Sequence, residues 1–260
     1  MRRKMSVCGS FYPQRTVDLL RYFEHFTKVY DENFSLPKIK AKAFIVPHAG
    51  YVYSGYTANI AYRILQQQDI KNLVVIGPSH RVGFKGVSLC EDNSYDTPFG
   101  EIQSAKDMVD ELKQMFDLKM LIPHAEHSTE VQFPFIKHYL PHLNMVELIY
   151  SDISSKSLSD IIDFILRQQD YGVIISTDLS HFHSLQEANR IDKICLNGVE
   201  NLSLETLQNG CEACGIKGVK AMVMSAKKLN LTSHLLDYRT SADMSNDTSR
   251  VVGYMSACFS

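Results

Sequence analysis

Residues 72–80 read Asn-Leu-Val-Val-Ile-Gly-Pro-Ser-His. The apolar run ends at Gly77 and Pro78, and the polar residues Ser79 and His80 follow. Similar short apolar runs occur at 43–46, 146–149 and 172–176. Runs of this length and composition are typical of strands that are buried on both faces of a sheet. We therefore expect these four segments to form the interior of one sheet.

Segments of helical period separate these runs and predict helices at 54–67, 104–116, 157–168, 185–207 and 217–229. The alternation predicts an α/β fold with a central, mostly parallel or mixed sheet flanked by helices. Ser54 caps the first of these helices in this interpretation, and Ser157 starts the third. Residues 95–100 read as a turn and 251–255 as a closing strand.

The composition is that of an ordinary globular protein: 260 residues, 45% hydrophobic, 22% charged, with a formal net charge of −2. The near-neutral balance and the lack of basic blocks argue against nucleic acid or an anionic membrane surface as a partner. No apolar run reaches the roughly 18 residues of a membrane helix. Because no repeat or flexible linker divides the chain, we expect a single domain over 1–260.

Six cysteines spread along a chain of this size predict a reducing, cytoplasmic compartment with mostly free thiols. Cys211 and Cys214 form one Cys-x-x-Cys pair. Such a pair is found in redox sites and in half of a zinc site, and its plainest interpretation is a buried thiol that packs like a small hydrophobe.

Three of the apolar runs lead into polar residues that can bind metals. His48 follows the first, His80 follows the second, and Asp178 with His181 follows the run at 172–176. Ligands of open α/β sheets bind outside the carboxyl ends of the strands, so residues far apart in sequence can meet there. The sequence therefore predicts that these side chains line one cleft.

Two histidines and one anionic ligand leave coordination positions open, which suits a metal that binds substrate or O₂. The residues leave the third ligand open among Asp178, Glu130 and a cysteine. The alternative is that each histidine is a hydrogen-bonded structural residue. Motifs for a serine nucleophile, a P-loop, a dinucleotide fold and a zinc protease are all missing from the sequence.

The segment 124–130 forms a second polar cluster. It reads as the start of a helix capped by Ser128 or Thr129. The same loop can border the site, with His127 and Glu130 orienting the ligands or the substrate.

Eight short motifs can be followed in order along nearly the whole chain: Gly9-Ser-Phe-Tyr-Pro13, Pro47-His-Ala-Gly-Tyr51, Gly77-Pro-Ser-His80, Thr97-Pro-Phe-Gly100, Glu126-His-Ser-Thr-Glu-Val-Gln132, Asp178-Leu-Ser-His181, Cys214-Gly215 and Val252-Gly-Tyr254. This set resembles the Memo family, also called AmmeMemoRadiSam system protein B. The resemblance implies a single α/β domain similar to the class III extradiol (LigB-type) dioxygenases, which open catechol rings with non-haem iron.

The resemblance also assigns roles by position. It implies His48, His80 and Cys214 as metal ligands, and Asp178 and His181 as catalytic residues. His181 matches the acid/base histidine of the dioxygenases, and Tyr53 matches a tyrosine of the pocket wall. A cysteine in place of the dioxygenase carboxylate makes the site softer and favours Fe(II) or copper.

Three functions fit this resemblance. The first is metal-dependent redox or dioxygenase-like chemistry on a small substrate. The second is a binding module for a phenolic ligand or a phosphotyrosine peptide. The third is an adaptor that acts beside a radical-SAM protein.

Overall fold

The computed structural model describes residues 1–260 and contains eleven strands and ten helices. The strands are β1 Arg2–Arg3, β2 Ala43–Val46, β3 Asn72–Pro78, β4 Val87–Leu89, β5 Ser94–Thr97, β6 Gly100–Gln103, β7 Asn144–Tyr150, β8 Tyr171–Ser176, β9 His181–His183, β10 Ser233–Thr240 and β11 Val251–Phe259. The helices are α1 Thr16–Asp31, α2 Tyr51–Leu65, α3 Lys106–Phe116, α4 His127–Glu130, α5 Phe133–Tyr139, α6 Ser155–Leu166, α7 Leu185–Glu200, α8 Leu204–Gln208, α9 Ile216–Lys228 and α10 Ala242–Ser245.

The main sheet is mixed and has the strand order β10-β11-β2-β8-β3-β7-β4, with β9 added beside β11. Its centre is parallel: β8 lies between β2 and β3, and β7 continues on the far side of β3. Antiparallel strands close it at both edges. The predicted α/β class with a mixed central sheet is therefore confirmed.

Apolar side chains alternate between the two faces of the central strands. Phe44 and Ile174 belong to one buried layer, whereas Ile45 and Ile175, their chain neighbours, belong to the other. The two layers contain 31 and 30 buried residues, so both faces are covered to the same extent. Helices α1, α2 and α5 pack on the strands in one layer, and α3, α6, α7, α8 and α9 pack on them in the other. Fully burying one such aliphatic side chain contributes about 1.5–3 kcal/mol.

Two helices begin earlier in the chain than the sequence predicted: α2 at Tyr51 and α6 at Ser155. Helix α2 begins at Tyr51, directly after Gly50, and Ser54 lies inside it with its hydroxyl donating to the Ala49 carbonyl. Helix α6 is capped by Ser154, whose side-chain oxygen accepts the Ser157 N–H. Ser54 and Ser157 are therefore first-turn residues and not caps.

Two further segments divide where one element was expected. The helix predicted at 185–207 ends at Glu200, and Leu202 then adopts a left-handed conformation with φ 50° before α8 begins. Residues 95–97 are the end of strand β5, and only the tip of the predicted turn connects it to β6. The turn residue Gly100 has φ +101°, a conformation that favours glycine.

The second, smaller sheet has the order β1-β5-β6 and attaches the N-terminal segment to the body of the protein. Cys195 and Cys211 form a disulfide, which the sequence did not predict, and the other four cysteines are free thiols. None of the helices combines the length and the apolar character needed to cross a bilayer.

Candidate metal centre

Parallel strands bring the predicted residues to one edge of the sheet. His48 follows β2, His80 follows β3, and Asp178 follows β8, which lies between the other two strands. The His48 backbone N–H donates to Asp178 Oδ1 over 2.7 Å, and the rings of His48 and His80 are 5.3 Å apart. The structure therefore brings together the three strand-end residues that the sequence pattern singled out.

Cys214 reaches the same place from the start of α9. Its Sγ lies 3.3 Å from His48 Nε2 and accepts the Asp178 backbone N–H over 3.3 Å. The ligand atoms of His48, His80 and Cys214 all lie within 4.8 Å of one another. A metal ion bonded to nitrogen and sulfur at about 2.0–2.3 Å places its donors roughly 3–4 Å apart. The three residues thus fit a single metal ion after small side-chain adjustments, and the His80 side chain is 30% exposed.

The surroundings of His48 keep its ring neutral and fixed in direction. Its Nδ1 contacts Ser176 Oγ at 3.1 Å, and Gln132 Nε2 donates to that same oxygen over 2.8 Å. Burial, and then the neighbouring His80 and His181, hold the pKa of His48 well below its ordinary value. A neutral imidazole has a free lone pair, as a metal ligand requires.

Burial also favours the neutral forms of the two anionic candidates. It raises the pKa of Asp178 to about 6, although the His48 N–H stabilises the carboxylate. It raises the pKa of Cys214 to about 12, and the nearby Asp178 adds to this shift. A thiol in this position becomes a thiolate only when a cation compensates its charge.

His127 completes a cluster of three imidazoles. Its ring lies 4.5 Å from that of His80 and 5.3 Å from that of His48. Burial, followed by these two histidines, lowers the pKa of His127 to about 3. The Phe11 ring packs against it with centroids 4.8 Å apart, so the N-terminal segment forms a wall of the site.

His181 and Tyr53 lie at the more exposed side. His181 Nδ1 is 2.8 Å from the Leu179 carbonyl oxygen, which can only accept, so Nδ1 carries a proton and Nε2 is unpaired. The next residue, Phe182, is 63% exposed and has φ 64°. Tyr53 is 40% exposed in the first turn of α2. Tyr254 is a buried neighbour that the sequence named only as part of a family motif, and burial followed by the charge of Asp178 raises its pKa.

Glu130 was predicted as a metal ligand or substrate-binding residue, but its carboxylate is bonded to the N-terminal segment. Its carboxylate accepts the N–H groups of Ser6 and Val7 over 2.8 Å and the Tyr12 hydroxyl over 2.9 Å. It also forms a buried ion pair with Arg3. Both carboxylate oxygens are therefore bonded to the N-terminal segment. Within the short helix α4, Glu130 contacts that segment, whereas His127 contacts His48 and His80.

The predicted caps of that helix also have other partners. Helix α4 has no side-chain cap. Ser128 Oγ donates to the Pro78 carbonyl over 2.7 Å, and Thr129 Oγ1 donates to Glu147. The first bond holds α4 against the end of β3, and the second holds it against β7. The approach of α4 to β3 is so close that a Cβ at Gly77 would collide with Ser128.

Glu126 is the site residue that the sequence left unassigned. It is 2% exposed, and its Oε1 accepts the backbone N–H groups of His80 over 3.0 Å and Arg81 over 2.8 Å. It thereby shapes the loop that carries His80. The only signal in the sequence is an acidic residue next to a metal-capable histidine.

The fold and the site together define a class: α/β proteins that gather a histidine–cysteine donor set where parallel strands end. A family model described as "Memo-like protein" matches residues 3–258. Curated "MEMO1 family" proteins are 30% identical in Aquifex aeolicus (99% of this chain, 98% of the relative), 31% in Thermoplasma volcanium (98% and 97%) and 32% in Methanobrevibacter smithii (100% of both). The chain belongs to the Memo family.

Proposed function

We propose that this protein binds one transition-metal ion, Fe(II) or copper, between His48, His80 and Cys214 and supports redox chemistry on a small substrate. The observation that carries the proposal is the 3.3 Å approach of Cys214 Sγ to His48 Nε2 in a set whose ligand atoms lie within 4.8 Å. One thiolate and two imidazoles suit Fe, Cu and Zn better than Mg or Ca. When bound, such an ion supplies Lewis acidity or one-electron chemistry.

In this proposal the residues around the three ligands orient them and contact the substrate. Asp178 fixes the backbone of His48 through its 2.7 Å hydrogen bond. His181 has its Nε2 unpaired and is positioned to take or give a proton at that atom. Tyr53 offers an exposed ring and hydroxyl as a wall for a small ligand. A cytoplasmic setting belongs to this proposal because Cys214 must stay reduced, although the Cys195–Cys211 disulfide is more typical of an oxidising compartment.

The test is anaerobic purification followed by metal analysis, with a matched cysteine control. Cys214→Ser should lose Fe or Cu, because a hydroxyl is a poor substitute for a thiolate. Cys8→Ser changes another partly exposed free thiol and should retain the ion. Chelation should abolish O₂ consumption in a small-substrate screen. Equal metal content in both variants would refute the proposed site.

A binding function is the second candidate, and one feature of the site favours it. The Arg250 guanidinium lies over the Phe182 ring, 5.1 Å from its centroid, next to His181. A cation beside an exposed aromatic ring suits a phenolic ligand that carries a negative charge, such as phosphotyrosine. Calorimetry with phosphotyrosine and with tyrosine, on metal-free protein, tests this: equal affinities would exclude anion recognition. An adaptor role beside a radical-SAM protein has only the family resemblance to support it, and co-purification tests it.

A further inference from the structure

Glu126 has one carboxylate oxygen that the fold does not satisfy. Its Oε1 accepts three hydrogen bonds, from Ser79 Oγ and from the N–H groups of His80 and Arg81, at 3.1, 3.0 and 2.8 Å. Its Oε2 is buried and has no hydrogen-bond partner. Leaving a buried carboxylate oxygen unpaired is costly, so such atoms in folded proteins usually serve an ion, a water or a ligand.

The two side chains nearest to this oxygen are metal-capable histidines. Oε2 lies 3.8 Å from His80 Nδ1 and 3.8 Å from His127 Nδ1. These separations are too long for hydrogen bonds. They do match the distance between donors that share one ion, since bonds of about 2.0–2.2 Å to nitrogen and oxygen place cis donors about 3–4 Å apart. The ligand atoms of all three residues lie within 4.8 Å of one another.

We propose a second cation site formed by His80, Glu126 and His127, which takes a borderline divalent transition ion such as Zn(II), Co(II) or Fe(II). Two imidazole nitrogens and one carboxylate oxygen are a donor set of this type, and it contains no sulfur. It therefore differs in chemistry from the set that contains Cys214. The inference goes beyond the proposed function and does not require that the first ion is catalytic.

His80 can belong to both sites as an imidazolate: the neutral ring has one free lone pair, so its second nitrogen releases its proton to solvent when the second ion binds. Its Nδ1 is the nitrogen near Glu126, which leaves Nε2 for the site with His48 and Cys214. The second site is also open to solvent, since the side chains of His80 and His127 are 30% and 19% exposed. An ion can thus enter without rearrangement of the core.

The test is a Co(II) titration of metal-free full-length protein under anaerobic conditions, followed by calorimetry and absorption. Only an ion bonded to Cys214 gives a sulfur-to-cobalt charge-transfer band, so absorption separates the two sites. The natural chain should bind two equivalents. Glu126→Gln should bind one with the band intact, because the amide oxygen preserves the contacts of Oε1 but the NH₂ group cannot bind a metal. Cys214→Ser should bind one without the band.

Two further variants keep the result decisive. His127→Phe retains the ring that packs on Phe11 and should also lose one equivalent. Glu212→Gln is the matched control: Glu212 Oε2 lies 2.8 Å from His183 Nε2 at the surface, and its loss should leave two equivalents. Two equivalents in both Glu126→Gln and His127→Phe, or one equivalent with the sulfur band in the natural chain, would overturn the second site. Retention of the sulfur band in Cys214→Ser would instead contradict the proposed function alone.

Discussion

Replacing Arg3 by methionine is expected to destabilise the protein strongly at neutral pH. The Arg3 side chain is 1% exposed and forms ion pairs with two fully buried carboxylates, those of Glu130 and Glu147. Methionine has a similar length but leaves both carboxylates without their cation. Removing one partner of a buried ion pair costs about 3–5 kcal/mol.

The pKa of Glu147 describes a separate quantity, the stability that its ionised form contributes through Arg3 together with His124. Burial alone would raise this pKa, but Arg3 and His124 outweigh that effect and lower it from 4.5 to about 2. At 1.36 kcal/mol per unit, the difference corresponds to about 3 kcal/mol of stability at neutral pH. Because the pKa is lowered in the folded state, this stability is complete above pH 4.5 and is lost as the pH falls toward 2.

The pH dependence provides the decisive assay. In Arg3→Met the pKa of the buried Glu147 rises, so protonation relieves the unpaired charge in mild acid. Urea unfolding should therefore show a deficit that is largest near pH 7 and smaller near pH 4. Arg2→Met is the matched control, because the Arg2 side chain is 51% exposed and its ion pairs contribute about 0–1 kcal/mol. Equal effects of the two substitutions, or a deficit that does not change with pH, would refute the reasoning.

Three other changes have defined outcomes. His181→Ala should retain metal but reduce any oxygen-dependent turnover by about 10²–10⁴. The control His183→Ala should change neither metal content nor turnover. Loss of metal in His181→Ala would make His181 a ligand. Cys195→Ser opens a disulfide of sequence separation 16 and should lower the free energy of unfolding by about 3 kcal/mol without changing metal content; an unchanged urea midpoint would contradict this. Gly253→Ala would place a Cβ on the Asp192 carboxylate and should cost about 1–3 kcal/mol, which thermal unfolding measures; a melting temperature equal to that of the natural chain would show that Asp192 moves freely.

The sequence predicted the parts of the fold that depend on local composition. The apolar runs at 43–46 and 72–76 became strands of the parallel centre, and His48 and His80 lie where these strands end. Cys214 had no such local signal, because it lies just before a helix and 33 residues beyond His181, the end of the metal-capable run at 178–181. Only the family resemblance selected it over Cys211.

The roles of the acidic residues Glu126 and Glu130 were the hardest to predict from the sequence. Glu126 and Glu130 lie four residues apart on either side of one helical turn, and both are buried. Their roles depend on partners that are distant in sequence: Glu126 meets the loop at 79–81, while Glu130 meets Ser6 and Val7. Local pattern cannot distinguish these two directions.

The buried ion pairs of Arg3 also determine when the protein can complete its folding. Glu130 and Glu147 follow Arg3 by 127 and 144 residues. During synthesis Arg3 therefore stays hydrated and unpaired until more than half of the chain has been made. Contacts of such long sequence separation pay a large loop-closure entropy and form slowly. The Phe11 wall over His127 belongs to the same segment, so we expect this side of the metal centre to form together with the Arg3 ion pairs.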